Sequence, residues 1–160
     1  MMKAIGGQTP ATRWLEEHGV EFVTHHYDYK ERGGARHAAE CLGVPDHVVV
    51  KTLVMRTDAG RRLLVLMHGD RQVSAKRLAR ETGVRSIAAC SPDEALKVTG
   101  YVVGGISPFG TRQSLPVYAE TSILDLPRIY LNGGRRGLLL EIESSVLRDT
   151  LELHEVSVAR

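Results

Sequence analysis

The feature that most constrains this chain is a segment in which a β-branched run stops at a glycine pair and then turns on a proline: Tyr101-Val102-Val103-Gly104-Gly105-Ile106-Ser107-Pro108-Phe109-Gly110. Glycine permits positive φ and the close approach of another group, while proline fixes φ and has no N–H to donate. Such a loop can direct main-chain amides and carbonyls at a ligand, although an isolated glycine cluster is more often a plain turn after a strand. The segment therefore predicts a short strand followed by a candidate ligand-binding loop.

Ser107 lies in a pattern close to the nucleophile elbow of serine hydrolases. Gly105, Ser107 and Gly110 form G-x-S-x-x-G, one residue longer than the elbow's G-x-S-x-G. In an elbow the residue after the nucleophile gives its N–H to the oxyanion hole, and Pro108 has none. We therefore expect that Ser107 is not a nucleophile, and that it donates a hydrogen bond or stabilises the turn.

Length and composition predict one globular domain over residues 1–160, because 42% of the residues are hydrophobic and no stretch is of low complexity. No apolar run approaches the ~20 residues of a membrane span. The segment from Met1 to Gly7 also lacks the apolar core of a signal peptide. We expect a cytoplasmic protein with no membrane partner.

Cysteine and histidine spacing predicts neither a disulfide nor a metal site. Cys41 and Cys90 form no C-x-x-C pair and are expected to be small buried hydrophobic residues. The seven histidines contain no H-E-x-x-H pattern, and His25 and His26 would point to opposite faces of a strand. No metal and no other cofactor is expected.

The net charge gives little indication of a partner. A formal charge of +2 is too small to predict nucleic-acid binding by itself. Short basic clusters that could meet phosphates, or could simply be solvated surface, occur at Arg61-Arg62, Lys76-Arg77 with Arg80, and Arg135-Arg136.

Capping and turn residues divide the chain into helices and strands. Three helices are predicted between a capping Ser or Thr and a glycine, at residues 9–19, 74–83 and 91–100. Strand-like runs cover residues 20–27, 48–55, 63–67, 85–89, 101–103, 128–131 and 138–142. Hairpin signals lie at Asp58-Ala59-Gly60 and Asn132-Gly133-Gly134. This pattern predicts an α/β fold, a mixed sheet with helices packed on it.

Lys51 interrupts an otherwise apolar strand. Period-2 alternation places it on the same face as Val49, Leu53 and Met55, where an ammonium is costly unless it meets an anion or reaches water. One interpretation is a lysine that extends to solvent from an edge strand. The other is a charge held for a ligand phosphate or a developing oxyanion.

Several of these segments, taken in order along nearly the whole chain, resemble the YbaK-type aminoacyl-tRNA deacylases, relatives of the editing domain inserted in bacterial prolyl-tRNA synthetases. They are the N-terminal helix, the strand with Tyr27, Val50-Lys51-Thr52-Leu53, the run from Thr99 to Pro108, and the run from Ile129 to Leu138. The resemblance implies a single-domain fold with a mixed, largely antiparallel, curved β-sheet flanked by α-helices.

The resemblance also implies a function. The family hydrolyses the ester between a mischarged amino acid, most often cysteine or alanine on tRNA for proline, and the terminal adenosine of the tRNA. The implied partners are the 3′-terminal adenosine and acceptor stem of aminoacyl-tRNA, and prolyl-tRNA synthetase. In this family the 2′-hydroxyl of the adenosine or the thiol of a cysteine substrate is thought to assist the attack.

The family's site residues can be carried over by position. Lys51 corresponds to the essential lysine, and the G-x-x-x-P loop corresponds to Gly104, Gly105, Ile106, Ser107 and Pro108. The implied substrate-binding residues are Tyr27, Tyr29, Asn132, Gly133, Gly134 and Leu139.

Two positions depart from the family pattern. Leu139 stands where many cysteine-specific relatives have an aspartate, and it is either a pocket residue or a core residue of an apolar strand. Tyr29 takes the place of a phenylalanine in a loop over residues 28–35 that is shorter than in those relatives. Two other functions stay open: a noncatalytic module that binds aminoacyl-tRNA or a synthetase, and a hydrolase of small thioesters or nucleotides.

Overall fold

The computed structural model describes residues 8–160; the segment from Met1 to Gly7, where no signal peptide was predicted, lies outside the described residues. Residues 8–160 form five α-helices: α1 (Pro10–Glu17), α2 (Gly34–Leu42), α3 (Ala75–Thr82), α4 (Pro92–Thr99) and α5 (Ser145–Thr150). The strands are β1 (Val23–His26), β2 (Val49–Thr57), β3 (Arg62–His68), β4 (Ile87–Ala89), β5 (Val117–Glu120), β6 (Arg128–Asn132), β7 (Leu138–Glu143) and β8 (Leu153–Val156). Short 3-10 helices cover Asp46–Val48 and Thr121–Asp125.

All strands belong to one mixed sheet in the order β1-β7-β6-β2-β3-β5-β8, and β4 pairs with the end of β2. The β1–β7, β6–β7, β2–β3 and β2–β4 pairs are antiparallel, while β2–β6, β3–β5 and β5–β8 are parallel. The predicted mixed sheet with flanking helices is therefore confirmed. Because β2 lies between β6 and β3, it is not an edge strand of the sheet, although Lys51 lies in the stretch between the end of its pairing with β6 at Val50 and the start of its pairing with β4 at Met55.

The two faces of the sheet carry separate cores. The larger core, on one face, holds Val50 and Val54 of β2 together with Leu138 and Leu140 of β7. On the other face, one cluster joins Met55 and Met67 to α3, and another joins Val49 and Leu139 to α2. Lys51 alternates onto this second face, as the period-2 pattern predicts.

The predicted helix caps are present. Thr9 Oγ1 accepts from the Thr12 amide at 3.1 Å, and Ser91 Oγ accepts from the Glu94 amide at 3.1 Å. Helices α3 and α4 end at Gly83 and Gly100, whose φ angles of +75° and +82° are left-handed. Side-chain hydrogen bonds therefore define the N-terminal ends of these helices, and left-handed glycines define the C-terminal ends.

The strand predicted at residues 101–103 is wrong, since these residues form no strand. Tyr101 is 2% exposed, and its hydroxyl donates to the Phe109 carbonyl at 2.6 Å, which fixes the segment as a closed loop. Val102 and Val103, the residues that suggested a strand, are 43% and 45% exposed. A β-branched run is a strand only where a partner strand is available, and here none is.

Sequence patterns missed four elements: α2, α5, β5 and β8. Helix α2 begins at Gly34, within the loop expected over residues 28–35, and β5 and β8 each span only 4 residues. The prediction that both cysteines are buried is also wrong, because Cys41 is exposed on α2 and Cys90 is partly buried; both are unpaired. Among the described residues, no helix is both long enough and apolar enough to cross a membrane.

Candidate active site

The glycine loop, residues 101–110, is anchored to the larger core by its buried residues. Ile106 and Phe109 are 4% and 0% exposed within the larger core. Ser107 is 0% exposed, and its Oγ accepts from the Phe109 amide at 3.1 Å. The Gly105 amide donates to the Val102 carbonyl at 2.9 Å and closes a tight turn. Of the two roles considered for Ser107, stabilisation of the turn is the one the structure supports.

Two other chain segments pack closely against the glycine pair of this loop. A Cβ at Gly104, whose φ is +96°, would lie 2.7 Å from the Tyr29 hydroxyl. A Cβ at Gly105 would lie 2.6 Å from the Arg135 carbonyl carbon, in the connection between β6 and β7. Because backbone cannot give way easily, glycine is required at Gly105 for steric reasons, whereas at Gly104 the positive φ is what favours glycine.

The β6–β7 connection is itself held in place. The Gly133 amide donates to the Leu138 carbonyl at 2.9 Å, and the Thr9 hydroxyl donates to the Gly133 carbonyl at 2.5 Å. Gly134 has φ of +103°, and a Cβ there would lie 2.9 Å from the Thr9 Cβ. The hairpin signal at residues 132–134 is thus confirmed as a turn, and the start of α1 supports it.

Tyr27 and Leu139 lie where β1 and β7 meet α2. The Tyr27 amide donates to the Gly137 carbonyl at 3.0 Å, its ring is 6.0 Å from the His37 ring, and burial raises the pKa of its hydroxyl. Leu139 is 2% exposed and packs with Ala38 and Val49. Leu139 therefore offers a ligand almost no surface here and fills the place of a core residue.

Lys51 is half-buried on the second face of β2. Its Nζ donates to the Arg71 carbonyl at 2.5 Å. Desolvation lowers the pKa of the ammonium, and the carboxylates of Asp70 and Asp46 partly offset this. The buried charge is thus compensated by one carbonyl and two nearby acids.

The sheet register relates Lys51 to the β6–β7 connection. Val50 pairs with Leu131 in the parallel β2–β6 ladder, so Lys51 and Asn132 are the next residues on neighbouring strands, which lie about 4.8 Å apart. The β6–β7 connection, which supports the glycine loop, begins immediately after Asn132. Lys51 therefore lies close in the sheet to this connection, while its ammonium turns towards the end of β3.

Thr52 was not singled out by the sequence. Its hydroxyl oxygen is buried and has no hydrogen-bond partner within residues 8–160. By alternation it lies on the face of β2 opposite Lys51, which is the face of the larger core. An unpartnered buried hydroxyl is rare in native proteins and often bonds water or a ligand.

His47, His68 and Asp70 form the one group of metal-type ligands found among the described residues, with ligand atoms within 4.8 Å of one another. The His47 and His68 rings stack at 3.8 Å, and His47 Nδ1 lies 2.9 Å from an Asp70 carboxylate oxygen. The ring nitrogens of buried His68 contact the His47 carbonyl at 2.8 Å and the Ser122 hydroxyl at 2.7 Å. Because both nitrogens of His68 are engaged, the cluster does not fit a metal centre.

The structure brings part of the predicted site together. Tyr29, Gly104 and Gly105 converge with the β6–β7 connection that contains Gly133 and Gly134. Ile106, Ser107 and Pro108 belong to the same loop and are buried. Arg136, noted in the sequence only as part of a basic cluster, contacts both the loop and Tyr29. No spacing rule in the sequence signals these tertiary contacts.

Comparison with known proteins gives a consistent picture. A family model described as the aminoacyl-tRNA editing domain matches residues 31–150. EbsC of Enterococcus faecalis, provisionally assigned as a Cys-tRNA(Pro)/Cys-tRNA(Cys) deacylase, is 26% identical over 136 residues, covering 84% of this chain and 83% of EbsC. The proline–tRNA ligase of Trichlorobacter lovleyi is 32% identical over 85 residues, covering 53% of this chain and 15% of the ligase.

A similar fold occurs among solved structures. The crystal structure of a provisionally assigned trans-editing enzyme for prolyl-tRNA synthetase has a TM-score of 0.82 and 23% identity, covering 94% of this chain and 95% of that one. The likeness shows a shared fold. Together with the family match, it confirms the resemblance found in the sequence.

Leu139→Asp is expected to destabilise the protein by roughly 3 kcal/mol or more, because it buries an unpaired carboxylate in an apolar cluster. Urea unfolding measures this through the midpoint, with Leu139→Met as a volume-matched control that should cost less than about 1.5 kcal/mol. A folded Leu139→Asp protein with the parent's midpoint would show that the position opens to solvent or substrate.

Lys51→Met is expected to be at least as stable as the parent at neutral pH. Because burial lowers the pKa of Lys51, the unfolded chain holds more protons than the folded one between the lowered and the ordinary pKa, so the parent's stability rises with pH there. Lys51→Met lacks this rise in the free energy of unfolding with pH. Urea unfolding over an alkaline pH series measures the difference, and parallel curves for the two proteins would contradict it.

Proposed function

Because this chain belongs to the aminoacyl-tRNA editing domain family, we propose that it is a trans-editing hydrolase that cleaves the ester of mischarged aminoacyl-tRNA. The observation that carries the proposal is the fixed geometry of the glycine loop. Gly105 lies against the Arg135 backbone with no room for a side chain, and Gly104 has a positive φ and lies against the Tyr29 side chain. A rigid loop of this kind can present main-chain donors to a developing oxyanion without reorganisation.

Two main-chain N–H groups of the loop have no acceptor among the described residues. Within residues 8–160 the Gly105 amide bonds Val102, whereas the amides of Gly104 and Ile106 donate to no protein acceptor. An ester carbonyl oxygen placed at this loop would find these N–H groups as it gains negative charge. Lys51, whose strand position neighbours the β6–β7 connection, would add a positive charge towards the terminal phosphate, the ribose or the oxyanion.

The reaction itself requires little from side chains. Water adds to the ester carbonyl carbon, the bond from that carbon to the ribose oxygen breaks, and the ribose oxygen takes up a proton as the free amino acid leaves. Ser107 is excluded as the nucleophile by its complete burial and its bond to the Phe109 amide. The base that activates water is assigned to the substrate, either the adenosine 2′-hydroxyl or the thiol of a cysteinyl group, with positioning as the main contribution of the protein.

The proposed substrate is cysteinyl- or alanyl-tRNA(Pro). Similarity to EbsC supports the cysteinyl group, similarity to a segment of a proline–tRNA ligase supports tRNA(Pro), and prolyl-tRNA synthetase is the proposed partner in the cytoplasm. Leu139 is buried against Ala38 and Val49, so the proposal gives it no contact with the α-amino group of the substrate.

The experiment that tests this function is single-turnover deacylation of cysteinyl-, alanyl- and prolyl-tRNA(Pro) by the purified protein. Loss of the cysteinyl or alanyl group well above the uncatalysed rate, with prolyl-tRNA spared, is the expected result. Tight tRNA binding without hydrolysis would instead identify a noncatalytic binding module. Hydrolysis of small thioesters or nucleotides alone would remove tRNA from the proposal.

Lys51→Ala is expected to lose about 2 to 4 kcal/mol of transition-state stabilisation, the range for one electrostatic contact at a reacting oxyanion, while the fold stays intact. The deacylation rate and a circular dichroism spectrum test the two parts. Lys76→Ala, which removes an exposed lysine of α3, is the matched control. Hydrolysis at the parent rate by folded Lys51→Ala protein would remove Lys51 from the mechanism.

Ser107→Ala is expected to keep substantial activity, whereas Gly105→Val is expected to lose most of it. The serine supplies one internal hydrogen bond, while a side chain at Gly105 would collide with the Arg135 backbone 2.6 Å away and displace the loop. Both variants are assayed on the same mischarged tRNA. A covalent acyl-enzyme trapped on Ser107 would overturn this assignment.

A further inference from the structure

Three chain segments that are distant in sequence meet around the Arg136 side chain. The β6–β7 connection supplies Arg136 itself, the glycine loop supplies Val103, and the segment after β1 supplies Tyr29. The Arg136 Nε donates to the Val103 carbonyl at 3.0 Å. Its guanidinium carbon lies 4.9 Å from the centre of the Tyr29 ring.

These contacts bear directly on Gly104, the residue after Val103. Tyr29 lies so near Gly104 that a Cβ there would be 2.7 Å from the tyrosine hydroxyl. Arg136 therefore holds the Val103–Gly104 peptide by a hydrogen bond and holds the Tyr29 ring, which lies against Gly104, by a cation–π contact. A single side chain closes the glycine loop, the β6–β7 connection and Tyr29 into one unit.

The rest of the loop does not supply this restraint. The bonds of Tyr101 and Ser107 both end at Phe109, on the buried side of the loop. Val102 and Val103 are exposed, and the turn there is closed by the single bond from Gly105 to Val102. Among the described contacts, the Arg136 bond is the one that ties the Val103 carbonyl to another part of the chain.

We propose that Arg136 is a positioning residue that fixes Val103 and Gly104 in the geometry needed for ester hydrolysis. The inference rests on the proposed deacylase function. Arginine suits this role because its planar guanidinium can donate through Nε in its own plane while its face stacks on an aromatic ring. Lysine keeps the charge but has no planar group that makes both contacts at once.

The test uses Arg136→Ala and Arg136→Lys, with Arg85→Ala, which removes an exposed arginine after α3, as the control for lost charge. Each protein is assayed on alanyl-tRNA(Pro) and on 3′-O-alanyl adenosine, an ester without phosphates. For Arg136→Ala we expect kcat to fall roughly 10-fold to 100-fold on both substrates, as for a slightly misplaced catalytic group. Arg136→Lys should stay closer to the alanine variant than to the parent, and Arg85→Ala should match the parent.

A second measurement does not depend on activity. Hydrogen–deuterium exchange is followed in the peptide that contains the Gly105 amide, whose bond to Val102 closes the turn. Faster exchange in Arg136→Ala than in the parent and in Arg85→Ala supports the positioning role. If the parent hydrolyses neither ester, the deacylase proposal fails, and exchange alone then decides the role of Arg136 in holding the loop.

Two results would overturn the inference. One is a rise in KM for the tRNA substrate alone in Arg136→Ala, with unchanged kcat, together with a parent-like KM in Arg136→Lys. That result would make Arg136 a phosphate contact. The other is parent-like kcat together with parent-like exchange in Arg136→Ala.

Discussion

The candidate site depends on the contact between a glycine pair and the backbone of a distant turn. A Cβ at Gly105 would stand 2.6 Å from the Arg135 carbonyl carbon, and a Cβ at Gly104 would stand 2.7 Å from the Tyr29 hydroxyl. The close approach fixes the loop against the β6–β7 connection. Below the loop, the completely buried Ser107 and Phe109 fix it to the larger core. The loop is therefore held from both sides before any ligand binds.

The sheet supplies the second element of the site. Strand β2 lies in the interior of the sheet, so Lys51 reaches a polar environment along its own face and meets the Arg71 carbonyl near Asp70 and Asp46. The half-buried charge lies on the strand next to the β6–β7 connection, and its ammonium is directed towards the end of β3. In the proposed function, this cation and the loop amides of Gly104 and Ile106 stabilise the negative charge that develops during ester hydrolysis.

Sequence patterns predicted the parts of this fold that local chemistry determines. Caps such as Thr9 and Ser91 marked helix starts because their side chains bond amides two or three residues away, and the turns at residues 58–60 and 132–134 carried their own glycines. The alternation around Lys51 predicted its face correctly, because burial on a strand follows period 2. The edge position was wrong, since strand order is set by pairing between distant segments.

The errors share the same cause. Val102 and Val103 have the composition of a strand but find no partner, and short β5 and β8 are strands only because a neighbour pairs with them. The link between Arg136, Val103 and Tyr29 joins three segments, and nothing in their local sequence marks it. Local signals therefore indicated the loop and the lysine, while the contacts that hold the site together follow from tertiary structure.

The most direct test is a crystal structure with a non-hydrolysable substrate analogue, the 3′-amide of alanine with 3′-amino-3′-deoxyadenosine. The predicted result is an amide carbonyl oxygen within about 3 Å of the Gly104 or Ile106 amide, with Lys51 extended towards the ribose or that oxygen. An analogue bound elsewhere on the protein, or bound with its carbonyl turned away from the glycine loop, would contradict the account.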